Sequence, residues 1–177
     1  DKIIDRLSKN DVRLVEIQRS VGYSNRKSIC IDKIEKVIRA IREVNKDVTI
    51  LVDNCYGAFV EDREPIEVGA DVIASSFMKN LGAGIATSGG YIVGSKKCIN
   101  LIADRLTVPG VGKNLGADFG VLISYFKGLF FAPSVVASAL KTMVFASYML
   151  EKLGYKVSPK YNEYRTDIIE VIELGSE

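Results

Sequence analysis

Apolar positions along this chain fall into short continuous runs and into stripes at helical spacing, and the two alternate. Leu14 to Gln18 and Val48 to Val52 read as strands, the second running directly into Asp53-Asn54-Cys55-Tyr56-Gly57. Val72 to Ala74 and Tyr91 to Val93 are two further runs of the kind that buried parallel strands show. Between the first two strands, Ile31, Ile34, Ile38 and Ile41 recur every three or four residues, which predicts an amphipathic helix. Asp32 and Glu35 resemble a capping box at its start, and Lys33, Lys36, Arg39 and Arg42 form its solvated face.

The remaining segments follow the same grammar. Asp1 to Lys9 reads as the end of a helix with a turn after it at Asn10-Asp11, and Gln18 to Lys27 as a polar loop. Pro65 suits the first turn of a short helix through Val68, which Gly69 ends. Lys96 to Leu106 is a helix, with a break at Pro109-Gly110-Val111-Gly112. Gly116 to Leu153 carries one or two long helices, interrupted near Pro133 and closed by Gly154. Thr166 to Leu174 reads as a strand, alternating from Ile168 as though it still needs a partner, so the chain, which starts at Asp1, is expected to be a segment of a longer protein. The alternation of strand and helix predicts an α/β fold, a three-layer sandwich with a mostly parallel sheet and helices on both faces.

Composition narrows the function. At 177 residues the chain can bury one substantial core. Its 24 basic and 22 acidic residues are interspersed, which leaves no electrostatic footprint for nucleic acid. Cys30, Cys55 and Cys98 are odd in number and lack metal-ligand spacing, so a reducing cytoplasmic location is expected. The sequence has no histidine, which removes histidine-based triads, zincin motifs and histidine general bases within this segment. The most apolar stretch, Val121 to Leu150, is cut by Lys127, Pro133 and Lys141, so no run is expected to reach the roughly 18 residues of a membrane span. A buried helix or a subunit interface is the expected use of that stretch.

Candidate chemistry gathers between the third and fourth apolar runs. Lys79 is followed by Gly82, Gly84, Gly89 and Gly90, which puts one amine on a glycine-permitted loop past the carboxyl end of a strand, where open α/β sheets hold ligands. Asp53 ends the preceding strand, one short helix earlier, so both side chains are expected in one crevice. The pair reads either as a salt bridge or as the two groups that pyridoxal phosphate needs. That cofactor takes a lysine for its Schiff base and a carboxylate that keeps its ring nitrogen protonated, so that the ring accepts the electrons of a carbanion. Ser75 and Ser76, just before the lysine, offer hydroxyls to a phosphate.

Several runs together carry a family resemblance. They are Val52-Asp53-Asn54-Cys55-Tyr56-Gly57, Ser75-Ser76-Phe77-Met78-Lys79-Asn80 and Gly89-Gly90-Tyr91-Ile92-Val93-Gly94. Ile17-Gln18-Arg19-Ser20 with Gly22-Tyr23-Ser24, and Arg105-Leu106-Thr107 with Pro109-Gly110 and Gly112-Lys113, belong to the same pattern. The chain resembles, over nearly its whole length, the methionine gamma-lyase-like or aluminium resistance proteins. These are a branch of the fold-type I pyridoxal phosphate enzymes related to cystathionine lyases.

The resemblance implies that residues 1–154 are part of a cofactor-binding large domain without its N-terminal part, and that 155–177 begin a small C-terminal domain. It implies Lys79 as the Schiff-base lysine and proton shuttle, Asp53 as the partner of the ring nitrogen, Ser76 as a phosphate contact, and Cys55 as the residue packed under the ring. Tyr56 and Arg19 would be further contacts to cofactor or substrate. The implied activity is a carbon-sulfur lyase that expels a thiol from a sulfur amino acid by β- or γ-elimination. A homodimer or homotetramer is implied, with Val121 to Leu150 as a candidate contact, while the charge and hydropathy patterns above lead us to expect no nucleic-acid or membrane partner. The chain departs from the family pattern at Val21, Ala58, Leu81 and Asn114, in place of a basic residue, an acidic residue, a proline and a glutamate. No N-terminal phosphate loop, stacking aromatic or C-terminal carboxylate-binding arginine can be assigned, so this stretch alone is expected to turn over little or nothing. Two alternatives stand beside the lyase: a non-catalytic protein of the same fold with a role in metal stress, and a nucleotide-binding doubly wound domain using the Gly82 to Gly90 loop. The latter lacks the third glycine of the dinucleotide fingerprint.

Overall fold

The computed structural model describes residues 2–9, 11–24, 26–108, 110–114 and 120–175. The expected turn at Asn10, the break at Pro109 and the stretch 115–119, where the long helical region was expected to begin, lie outside the described residues. In chain order, α1 (Lys2–Lys9), β1 (Leu14–Gln18), α2 (Ile31–Val44) and β2 (Thr49–Asp53) come first. A 3-10 turn at Pro65–Val68 leads to β3 (Val72–Ser76), and a second at Asn80–Gly82 precedes β4 (Gly90–Gly94) and α3 (Lys96–Leu106). Then come α4 (Leu122–Lys152), β5 (Lys156–Ser158) and β6 (Val171–Glu173).

The first four strands form one sheet in the order β1-β2-β3-β4. β1, β2 and β3 run parallel, and β4 runs antiparallel to β3. The chain is therefore a mixed α/β fold with a mostly parallel sheet, and the parallel direction expected for Tyr91 to Val93 is corrected. A parallel return needs a crossover, usually a helix, whereas Phe77 to Gly89 holds only the 3-10 turn, so the chain doubles straight back.

The core forms where the isoleucine stripe of α2 meets the sheet. Ile31, Ile34, Ile38 and Ile41 are each at most 3% exposed and pack with Val48, Ile50, Val52, Ile73 and Leu7 of α1. Burying each isoleucine contributes about 1.5–3 kcal/mol, which is why periodicity sufficed to find this helix. Strand alternation turns Val15 and Ile17 toward this layer and leaves Leu14, Glu16 and Gln18 exposed on the other face. Over β1, then, the second helical layer of the expected sandwich is incomplete among the described residues. Asp53 lies on that open face, because its neighbour Val52 points into the core.

Polar expectations at α2 are corrected by partners distant in sequence. Cys30, not Asp32, precedes the first turn, and its own side chain makes no capping bond. Asp32 and Glu35 instead bind Arg63, and Glu35 also binds Arg39. The helix start is held by Glu61, whose carboxylate accepts the Ile31 N–H at 3.1 and 3.3 Å. Arg42 is not simply solvated: it donates to the Val48 carbonyl and to Asp71, both at 2.5 Å.

α4 is one helix that continues through Pro133. Pro133 and Leu129, whose carbonyl the missing N–H would have met, are both exposed, so that carbonyl can turn to water. Gly128, Ala132, Val136 and Ser147 are its buried residues, while Ile123, Phe126, Phe130 and Phe145 are exposed. It is thus not a buried helix. By length and composition alone it is long and apolar enough to cross a membrane, unlike the interrupted run expected from sequence. β5 and β6 make a separate antiparallel pair, so the last strand is shorter than expected and has its partner.

Candidate active site

Asp53 ends β2 opposite Ala74 of β3, and alternation puts Ser76, two residues past Ala74, on the same face. The Asp53 Oδ1 accepts the Cys55 N–H at 3.0 Å, and no cation pairs with the carboxylate among the described residues. Ser76 Oγ accepts the Met78 N–H at 3.1 Å and donates to the Gly89 carbonyl at 3.4 Å, which folds the chain toward Lys79.

Ser75 faces the other way. It lies opposite Tyr91, donates to Cys55 Sγ at 3.6 Å, and hydrogen-bonds the Tyr91 phenol. Burial pushes that phenol up from its ordinary value, against the pull of its bonds to Ser75 and Asn54. Ser75 is therefore a structural partner of Tyr91 and Cys55, and the structure does not bring it to the face that carries Asp53 and Ser76.

Lys79 stands between β3 and the Asn80–Gly82 turn, half-buried. Its Nζ lies over the Tyr56 ring, 4.6 Å from the centroid, and it has no ion pair among the described residues. The salt bridge that the sequence allows between Asp53 and Lys79 is absent. The amine opens on a cavity of about 470 Å³ walled by Tyr56, Asn80, Val136, Ala139 and Ile168. Among the described residues its lining holds no charged side chain besides Lys79, and Asp53, expected in the same crevice, is not part of it.

Two packing facts hold this loop in place. A Cβ on Gly128 of α4 would lie 2.7 Å from the Gly82 carbonyl oxygen, so helix and turn meet backbone to backbone. Asn80 is 4% exposed and donates to the Ala58 carbonyl at 2.8 Å, which ties the residue after Lys79 to the turn that follows Asp53. Ile168 closes the far wall, its N–H donating to the Tyr56 carbonyl at 3.2 Å. Its run of three isoleucine and acidic neighbours reads only as a strand, and nothing local in the sequence marks it as part of the site. Asn80 stood next to the lysine, within the run that carries the resemblance.

Arg19 is corrected. It is completely buried, so a substrate cannot reach its guanidinium, which is committed to Asn54, Glu61 and Glu64. A buried cation requires such partners, and they lie far ahead in the chain.

An amine just past one strand and a carboxylate at the end of its parallel neighbour, both without ion-pair partners among the described residues, with a hydroxyl on the carboxylate's face, are the donor set that pyridoxal phosphate takes. The residues present fit that group. The fold is also that of its fold-type I enzymes: the chain matches the Escherichia coli pyridoxal-5'-phosphate dependent protein YhfS with a TM-score of 0.60 at 20% identity, over 97% of this chain and 44% of that one, a likeness of fold alone. Within that class the particular group is defined by sequence. The family model described as methionine gamma-lyase matches residues 1–177, and the chain belongs to that family.

Individual relatives agree. The chain is 46% identical to protein YnbB of Bacillus subtilis (strain 168), over 92% of this chain and 39% of that protein. A crystal structure from Clostridium acetobutylicum, whose name proposes a cystathionine beta-lyase involved in aluminum resistance, superposes with a TM-score of 0.95 at 49% identity, covering 99% of this chain and 42% of that one. A structure named carbon-sulfur lyase involved in aluminum resistance, from Clostridium novyi NT, gives 0.93 at 43% identity, over 99% of this chain and 41% of that one. The chain thus spans about two fifths of the length of these relatives.

Proposed function

We propose that this chain carries the lysine and aspartate of a pyridoxal phosphate-dependent carbon-sulfur lyase that acts on a sulfur-containing amino acid. The observation that carries the reading is that Asp53 ends β2 and Lys79 follows the end of the neighbouring parallel β3 by three residues, each free of an ion-pair partner among the described residues. A structural salt bridge would have joined them. Relatives named as lyases support the enzyme class.

When bound, the cofactor supplies an electron sink for the pair left on the substrate's α-carbon, which lets a thiol leave from the β- or γ-carbon. Lys79 Nζ would hold the cofactor and, as a free amine, would take the α-proton of the substrate. The Asp53 carboxylate would keep a proton on the ring nitrogen. Ser76 Oγ would offer a hydrogen bond to the phosphate, and Cys55, next to Asp53, would pack against the ring. Tyr56, Val136 and Ile168 give the cavity beside the lysine a largely apolar wall. We place this work in the cytoplasm and in a homo-oligomer, with the exposed apolar residues of α4, Phe126 and Phe130 among them, as part of the contact between copies. Residues 155–177 begin the C-terminal domain.

The test is a panel of sulfur amino acids, methionine and cystathionine included, given to the full-length protein with pyridoxal phosphate while released thiol and 2-oxo acid are assayed. Turnover that falls at least about 10²–10⁴-fold in Lys79→Ala supports the reading. Undiminished turnover in that variant contradicts it. Bound cofactor with no turnover across the panel would favour the non-catalytic role in metal stress.

A further inference from the structure

We propose that Arg19 is a positioning residue for this site, acting through Asn54 and Gly57 on the turn Asp53–Phe59, which presents both Asp53 and Tyr56. The proposal rests on the functional reading above, since it assigns Arg19 to the geometry of the same lysine.

The turn is wrapped around the Arg19 side chain. At its start, the Arg19 N–H donates to the Asp53 carbonyl at 3.1 Å. One residue on, Nη1 of Arg19 donates to Asn54 Oδ1 at 2.6 Å. Gly57 lies flat against the guanidinium stem: a Cβ there would fall 2.7 Å from Arg19 Cδ and 2.8 Å from Nε, so no other residue fits without moving the arginine. At the end of the turn, Glu64 accepts the Phe59 N–H at 2.9 Å through one carboxylate oxygen. Its other oxygen accepts from Asn54 Nδ2 at 2.8 Å and from Arg19 Nη1 at 3.3 Å. Glu61, which holds the start of α2, takes Nη2 at 2.8 Å.

That wrapping sustains an unusual backbone. Tyr56 and Phe59 have φ of 61° and 62°, the left-handed region that residues with a side chain disfavour. Such residues persist only where their surroundings over-determine them, and here both ends of the turn are bonded to one buried network. The left-handed Tyr56 is the residue whose ring lies under Lys79 Nζ and whose carbonyl receives Ile168.

Arginine, specifically, is needed. Its planar fork reaches Asn54, Glu64 and Glu61 at once, whereas a lysine is a single point of charge on a flexible stem. Arg19→Lys keeps the charge and loses the fork, and the turn loses the hydrogen bond at Asn54 that fixes its second residue.

The experiment uses the full-length protein without cofactor and then with it. In the cofactor-free protein, the rate at which an acetylating reagent labels Lys79 is mapped by peptide analysis, with the exposed Lys33 as internal reference. In the loaded protein, the pH midpoint of the bound cofactor's absorbance is read. Arg19→Lys and, as a second variant that keeps the side-chain shape, Glu64→Gln are compared with the parent, each with its melting temperature. We expect Lys79 labelling to change at least about two- to threefold in both variants with Lys33 unchanged, the scale of a weak cation–π contact. The absorbance midpoint moves by about half a pH unit or more.

A lowered melting temperature with labelling and midpoint both unchanged would overturn the proposal and leave Arg19 as a stabiliser of the fold. Unchanged values throughout would overturn it too. If the parent protein takes no cofactor at Lys79, the functional reading fails, while the cofactor-free labelling still decides whether Arg19 positions Lys79.

Discussion

The ε-ammonium of Lys79 lies 4.6 Å from the centre of the Tyr56 ring, with no carboxylate as an ion-pair partner among the described residues. A cation over a ring face is held by about 0.5–2 kcal/mol while its lone pair remains accessible to chemistry once the proton leaves. An ion pair would have fixed the charge on a carboxylate and removed the amine from the cavity. The ring therefore holds the ammonium weakly and leaves the amine facing the cavity. Tyr56→Phe keeps that face and should leave the rate at which Lys79 is acetylated in the cofactor-free protein within about twofold of the parent, whereas Tyr56→Leu, which no longer favours the ammonium, should raise it by about 2- to 30-fold, the range of the contact. Mass spectrometry of the labelled peptide reads both.

The Lys79 loop depends on α4 through two glycines. Because a Cβ on Gly128 would sit 2.7 Å from a backbone oxygen of Gly82, it cannot be accommodated by turning a side chain. Gly128→Val should destabilise by about 1–3 kcal/mol in urea unfolding and should also lower cofactor retention. Ala137→Leu, at an exposed position of the same helix, should stay within about 0.5 kcal/mol and leave retention unchanged.

The parts of this fold that sequence discloses are those fixed by neighbours in the chain. The isoleucines of α2, the run Leu14 to Gln18 and the helix Lys96 to Leu106 follow from local periodicity, and the structure keeps those bounds. Parts fixed by distant partners were not disclosed. The direction of β4 depends on which strand edge it meets, and the burial of Arg19 on Asn54, Glu61 and Glu64, well beyond its own loop. Asp32 and Glu35 have the spacing of a capping box, yet Arg63 competes for both and wins. Ile168 reaches the site only because the segment from Glu163 is tied across the 19–28 loop, Lys27 to Glu163, Ser28 to Thr166 and the Val21 N–H to Asp167.

One of those ties has a pH dependence. The hydrogen bond from Lys27, joined by the Lys160 N–H, holds the Glu163 carboxyl below its ordinary value of 4.5. A depressed folded value contributes stability that is present above the unfolded value and lost as pH falls through the folded one. The melting temperature should therefore fall on acidification below about pH 4.5, and part of that fall should be missing in Glu163→Gln. A scan of melting temperature from pH 6 downward, in parent and variant, checks it. Identical acid limbs would show that the tie contributes nothing.

Lys79 is the centre of the proposed chemistry. The most direct measurement is to load the full-length protein with pyridoxal phosphate, reduce it with borohydride and map the labelled peptide. A single label on Lys79, absent from Lys79→Ala, is the predicted result and would establish the cofactor and its lysine together. A label on another lysine, or none after saturation with cofactor, would contradict the assignment and leave a mixed α/β domain whose unpaired lysine and aspartate serve some other chemistry.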